Sequence, residues 1–223
     1  MRNGLAILLT AQLALAGCSA VPEGREPVQP RGAAAPHTAQ VHRPETRACL
    51  AELGQAASRF APLPDKFYGA GCETTNSVQL DAVRGDAGEF ALTNLNAVAC
   101  PLASTFAGWA RYGVDRAARQ VLGSQLVRIE TMGSYSCRNV AGSSRRSAHS
   151  RAEAIDVAAF VLADGRRISV KGGWEAHSEV ERACRRVAHA SACKRFGTVL
   201  GPDYNTAHHD HFHLEQSGGS FCR

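Results

Sequence analysis

The chain has 223 residues, 44 % of them hydrophobic and 20 % charged, which suits one globular domain of ordinary size with some unstructured extra. The formal charge of +5 is mild and dispersed. It favours an anionic surface such as a wall polymer or lipid headgroups, and no aromatic-basic RNA-binding pattern accompanies it, so nucleic acid is not an expected partner.

Met1-Arg2-Asn3 gives a short positive start, and Gly4 to Ala16 is an apolar run too short to anchor stably across a bilayer. The run ends in Leu15-Ala16-Gly17-Cys18, which resembles the bacterial lipobox. That resemblance implies a signal peptide over residues 1–17 and lipidation of Cys18 as the first mature residue. Ser19 follows, with no aspartate there, which implies sorting to the outer membrane, facing the periplasm. The lipid would take the place of a transmembrane helix. Residues 18–45 read as a tether: five prolines and few large apolar residues leave nothing to bury, and the segment reaches roughly 90 Å when fully extended.

The folded domain is expected over residues 46–223. Ala48, Leu50, Leu53, Ala57 and Phe60 recur at helical spacing until Pro62 and Pro64. Residues 78–83 and 89–92 read as strands. A second helix spans about Asn96 to Gln120, with Pro101 in its first turn and Trp109 packed in the core. Residues 126–131 read as a strand, and 133–146 as a polar loop in which Tyr135 either lines a cleft or packs. Ala154 to Leu162 is an apolar, β-branched strand, and Asp164-Gly165 turns it into a hairpin. A third helix covers Glu175 to His189, followed by a short strand and turn over 197–205. Helices mainly first and strands mainly later give an α+β class: one domain with helices packed on a small antiparallel sheet.

Eight cysteines agree with export. Setting Cys18 aside leaves seven, so at least one thiol is unpaired, and no C-x-x-C pair suggests a zinc ribbon. Cys49 with Cys72 is the expected first pair, and Cys184 falls in a helical pattern that suits a small buried thiol.

Residues 206–215 hold four of the nine histidines, within six positions and beside Asp210. On a strand, His211 and His213 share a face while Phe212 points into the core. Histidine suits both transition-metal ligation and proton transfer near neutrality. His149 and Asp156 could complete a shell with His213. A continuous helix would hold them about 10 Å apart, too far for one ion. A loop carrying His149 that folds back onto a strand carrying Asp156 would bring them together. Two histidines and one carboxylate leave a fourth position for water, as hydrolytic zinc sites require. Asp210 either orients a neighbour or faces water. His37 and His42 fall in the tether, His177 and His189 on a helical stretch that suits a surface.

The spacing His-x6-Asp followed by a distant His-x-His resembles the superfamily of lysostaphin-type peptidases, D-alanyl-D-alanine metallopeptidases and hedgehog domains. A closer resemblance is to the bacterial extensin-like C-terminal domain family. It is carried by Cys-Pro-Leu-Ala (100–103), Gly-Ser-Tyr-Ser-Cys-Arg (133–138), the Ser-x-His…Ala-x-Asp run (147–156), Leu-Ala-Asp-Gly-Arg (162–166), Phe-Gly-Thr-Val-Leu-Gly-Pro-Asp (196–203) and Asp-His-Phe-His-Leu (210–214). The resemblance implies Zn2+ held by His149, Asp156 and His213. It implies His211 as the catalytic histidine, although the chemistry alone would also let His211 ligate. It implies His208 as an assisting histidine, and Arg138 as a substrate-gripping guanidinium. Ala148 stands where the family usually has Glu, and Glu153 where it usually has Asn; neither is an expected ligand. The expected function is a zinc-dependent peptidase, endopeptidase or carboxypeptidase, acting on peptidoglycan peptides in the periplasm. The alternative is a non-catalytic zinc-containing wall-binding or structural lipoprotein module. Metal buffering by the histidine cluster is a third reading.

Overall fold

The computed structural model describes residues 44–55, 59–171, 174 and 178–223. Cys18, the signal peptide, most of the tether, His37, His42 and His177 lie outside the described residues. Helix α1 spans Pro44–Gln55, with proline in the first turn, where its missing N–H costs little. It stops short of Phe60, which the helical spacing had included. Phe60 lies instead on edge strand β1 (Arg59–Pro62), opposite Leu80 on β4 (Ser77–Arg84). Pro62 is tolerated there because an edge strand has donors to spare. Between them β2 (Lys66–Gly69) and β3 (Cys72–Thr74) form a separate hairpin.

After β5 (Glu89–Thr93) and the two-residue β6 (Val98–Ala99), one long helix runs from Cys100 to Leu122. It comprises α2 (Cys100–Trp109), a π-helical segment (Ala110–Asp115) and α3 (Arg116–Leu122), and it ends on Gly123 at φ 67°. A π segment adds one residue to a turn and re-aims the side chains that follow. Here it buries Asp115, whose carboxylate accepts from the backbone N–H groups of Asp86 and Leu126. Trp109 is fully buried as expected. It donates its indole N–H to the Ala188 carbonyl and meets Phe160 and Phe196 edge-on.

The remaining elements are β7 (Leu126–Gly133), β8 (Ala154–Leu162), β9 (Arg167–Ser169), α4 (Glu179–Cys193), β10 (Thr198–Leu200), β11 (Phe212–Glu215) and β12 (Phe221–Cys222). Helix α4 starts later than expected, after Ser178, whose side chain accepts from the Glu181 N–H. Ser178-x-x-Glu181 is a capping-box spacing, so the local chemistry sets that start.

The class is α+β, with three helices, one main sheet and the β2–β3 hairpin among the described residues, but the main sheet is neither small nor antiparallel. Ten strands form it, in the order β1-β4-β5-β7-β8-β11-β10-β12, with β6 also on β4 and β9 also on β8. Strands β5 and β7 pair in parallel, as do β10 and β12. The long helix supplies the crossover that a parallel pair needs, so the β5–helix–β7 order itself accounts for the mixed sheet. Strand β8 sits centrally and is buried along nearly its whole length.

The disulfides are Cys49–Cys100, Cys72–Cys137 and Cys193–Cys222, with Cys184 free and buried. Cys49 therefore does not pair with Cys72. Cys49 ties α1 to the start of α2, and Cys72 ties the β2–β3 hairpin to the loop after β7. No helix among the described residues is long and apolar enough to cross a membrane.

Candidate metal centre

The centre is built across β8. Asp156 on this strand is in register with His213 on β11 and with Gly133 on β7. Antiparallel register brings the imidazole of His213 to its partner's carboxylate, Nδ1 to Oδ1, at 2.9 Å. His149 comes from the preceding loop. A 3-10 turn, Ala148–Arg151, is capped by the Ser147 hydroxyl, and Ala152 then adopts φ 56° to reverse the chain into β8. A left-handed alanine costs roughly 1–2 kcal/mol. It is held here by its N–H to the His149 carbonyl and by its own carbonyl, which accepts from the Ala99 N–H. This is the fold-back that would bring His149 and Asp156 together. His149 Nε2 lies 3.2 Å from Asp156 Oδ2 and 3.2 Å from His213 Nδ1.

Each ring is oriented from behind. His149 Nδ1–H donates to the Ser134 carbonyl at 2.5 Å, which turns its Nε2 lone pair toward the other two side chains. Asn96 fixes that carbonyl's loop, accepting from the Ser134 and Tyr135 N–H groups and donating to the Tyr135 carbonyl. His213 Nε2 faces Glu215 Oε2 at 3.3 Å. Neither Asn96 nor Glu215 was expected. Glu215 carried a signal, since two residues beyond His213 on one strand places it on the same face. Asn96 carried none.

All three side chains are buried. Burial would raise the Asp156 carboxyl, but hydrogen bonds from His149 and His213 outweigh it and hold the group well below the usual carboxylate range. Burial would lower His213, but the carboxylates of Asp156 and Glu215 outweigh it and raise the imidazole to about 9. At neutral pH the site thus keeps a positive charge between two carboxylates. The donor set fits zinc: two imidazole nitrogens and one carboxylate oxygen within 4.8 Å of one another, beside second partners that fix the ring tautomers.

His211 lies beside the triad, with Nε2 3.6 Å from Asp156 Oδ1. Its Nδ1–H donates to Asp210 Oδ1 at 2.8 Å, so Asp210 orients a neighbour. His208 sits on a short 3-10 turn, Thr206–His208, instead of the strand, with its ring centroid 5.2 Å from that of His211 and 5.8 Å from that of His213. Its Nδ1–H donates to Asn205 Oδ1. Burial first, then the charges of His211 and His213, lower His208 to about 4. Arg138 is half-exposed, with a guanidinium nitrogen 3.9 Å from Asp156 Oδ2. A cleft of about 440 Å³ opens over this group, lined by Arg138, His208, His211 and His213 among others. Tyr135 does not line it and stacks on Tyr68 at 4.9 Å.

His189 is half-buried instead of fully at the surface. Its ring packs between Trp174 and Phe212, and burial lowers it. It approaches Cys193 and Cys222, but those sulfurs are joined in a disulfide and offer no thiolate.

A family model described as "Extensin-like protein C-terminus" matches residues 47–223. No curated protein and no solved structure matches the chain.

Proposed function

The chain belongs to the extensin-like protein C-terminal family, and we propose that it is a zinc-dependent peptidase acting on peptidoglycan peptides at the bacterial cell envelope. The observation that carries the reading is the meeting of His149, Asp156 and His213 beside a cleft that His213 and His211 line. The resemblance of this spacing to the lysostaphin and D-alanyl-D-alanine metallopeptidase superfamily supports the wall peptide as substrate. The lipobox-like Leu15-Ala16-Gly17-Cys18 supports a lipid-anchored domain at the outer membrane, facing the periplasm.

His149, Asp156 and His213 would hold the metal. Zinc, when bound, would supply Lewis acidity to a scissile carbonyl and make water nucleophilic near neutral pH. His211 moves the proton. Because Nδ1–H is committed to Asp210, Nε2 carries the lone pair and can accept a proton from the attacking water. The Asp210 carboxylate then stabilises the imidazolium, and Nε2–H can return the proton to the leaving amine. His208 is neutral near pH 7, and with Nδ1–H given to Asn205 its Nε2 is an acceptor for a substrate N–H or a water proton. Arg138 offers a guanidinium at the rim for a substrate carboxylate.

The test is turnover. The zinc-loaded protein is incubated with purified muropeptides and the products read by mass spectrometry. Cleaved stem peptides or crosslinks are expected, and intact muropeptides from every wall type, with metal bound, would overturn the reading. The competing reading, a zinc-containing wall-binding module, predicts wall affinity without products and no effect of His211→Ala on that affinity.

A further inference from the structure

We infer that the cleft beside the triad is a two-walled recognition site for an extended peptide bearing free carboxylates, and that Arg145 reads one of them. The inference deepens the peptidase reading, on which it rests for the ligand's role as substrate.

One wall belongs to the loop between β7 and β8 and carries Arg138, Arg145, Arg146 and Arg151. Among the described residues the one acidic residue lining the cleft is Glu215, whose carboxylate is engaged by His213. Among the arginines, Arg151 is neutralised by Glu153 at 2.7 Å. Arg146 is fixed in place by the Ala70 carbonyl and the Asn139 amide oxygen, both neutral, so its charge is uncompensated. Arg138 reaches Asp156 only at 3.9 Å. Arg145 differs from the others. Its backbone is anchored, with the N–H on Ser143 Oγ and the carbonyl accepting from the Val140 N–H. Among the described residues its guanidinium has no hydrogen bond or ion pair. Glu215 lies near enough to feel the charge of Arg145 but neither hydrogen-bonds nor pairs with it, so among the described residues Arg145 and Arg146 face the cleft with guanidinium groups that no carboxylate holds, and such groups gather anions.

From the segment after β10 and from β12 the cleft is lined by Tyr204 and Phe221, 42 % and 44 % exposed, with their rings edge to face at 5.6 Å and the Arg223 guanidinium 5.9 Å over the Phe221 ring. An extended peptide presents successive side chains to opposite sides. It can therefore set carboxylates against the arginine wall and methyl or methylene groups against the two rings. A uniformly charged polymer would leave the aromatic wall unused.

The experiment measures binding in the zinc-loaded full chain carrying His211→Ala, so that bound peptide is not consumed. Two fluorescent synthetic peptides of alternating L- and D-residues are compared, one with two free carboxylates and one with both amidated. The free peptide is expected to bind at least about tenfold more tightly, since a charge-assisted hydrogen bond contributes at that level. Arg145→Gln removes most of that advantage and leaves the amidated peptide unaffected, while Arg145→Lys restores part of it. Raising salt from about 50 to about 500 mM weakens only the free peptide. Equal affinity for the two peptides overturns the inference. So does an unchanged free-peptide affinity in Arg145→Gln, or competition by inorganic phosphate at the peptide's own concentration. Cleavage by the histidine-intact protein separates the two readings. If neither peptide is ever cut while the affinity difference stands, the peptidase reading fails alone. If both are cut with equal kcat/KM and Arg145→Gln changes nothing, the inference fails alone.

Discussion

Asp156 and His213 are cross-strand partners on β8 and β11, and their side chains meet at 2.9 Å although 57 residues separate them in the chain. Two rigid, adjacent strands therefore set two of the three candidate ligands, and only His149 depends on a loop. This predicts that Asp156→Asn removes metal while leaving the fold in place, since the amide keeps the volume and a hydrogen bond but loses the charge. Elemental analysis of the purified protein should give one zinc per chain, with affinity lower by at least about 100-fold in the variant. Unchanged circular dichroism would confirm that the fold survives. A variant that retains stoichiometric zinc would rule out Asp156 as a ligand.

His211 and His213 share one strand-derived segment but have different neighbours. His213 is enclosed by Asp156 and Glu215, whereas His211 is tied to Asp210 and faces the triad at a longer distance. His211→Ala should therefore keep zinc and lose turnover by roughly 100- to 10,000-fold, the range for a positioned acid–base group. Asp210→Asn should cost less, because it leaves the imidazole in place and weakens only its orientation. Metal content and kcat measured on the same samples make the check. Loss of zinc in His211→Ala would move this residue into the ligand set.

The strands around the centre were legible because their physics is local. Alternation placed His211 and His213 on one side and Phe212 in the core, the apolar run from Ala154 to Leu162 gave β8, and Asp164-Gly165 gave its hairpin. The fold-back at Ala152 was legible only as a requirement of spacing, because nothing in an alanine announces a left-handed backbone. Glu215 was within reach of the same alternation. Asn96 was not, since it acts on a loop 38 residues away in sequence, and only the packed structure brings them together. The disulfides failed for that same reason: Cys49 and Cys72 are neighbours in the chain, but α1 and the β2–β3 hairpin dock on different partners. Parallel pairing of β5 with β7 follows from the long helix between them, which supplies a crossover that a uniformly antiparallel sheet does not need.

Metal uptake should depend on pH through His213. In the metal-free protein this imidazole is raised from 6.5 to about 9, burial opposing the shift and the carboxylates of Asp156 and Glu215 overcoming it. A group raised on folding stabilises the fold fully below its unfolded value, and that contribution is lost as pH climbs through the folded value. The Tm of chelator-treated protein should therefore fall between about pH 6.5 and about pH 9. Zinc must displace the proton, so zinc affinity should rise by roughly tenfold per pH unit over the same window and flatten above it. Glu215→Gln should shrink the Tm change and weaken zinc by about 10- to 100-fold. Competition against a chromophoric chelator, with parallel melting curves, gives both readings. A zinc affinity independent of pH from 6.5 to 9 would refute the proton displacement.

Acid sensitivity should appear at a second place, far in the chain from the candidate metal centre. Asp86, in the turn between β4 and β5, accepts from Arg116 at 2.7 Å, Arg119 at 2.9 Å and Arg111 at 3.0 Å, so one carboxylate fastens that turn to the π segment and to α3. Hydrogen bonds from Arg116 first and Arg111 next lower it from 3.8 to about 2, against a smaller opposing effect of burial. A carboxyl lowered on folding contributes stability above its unfolded value and loses it as pH falls through its folded value. The difference in Tm between the native sequence and Asp86→Asn should accordingly be constant from pH 7 to about 5, shrink between about 4 and 2, and vanish below. Because the cluster is open to solvent, high salt should narrow the same difference at neutral pH. Equal Tm values at pH 7 and low salt would mean that the three arginines are held by the helix alone and that Asp86 fastens nothing.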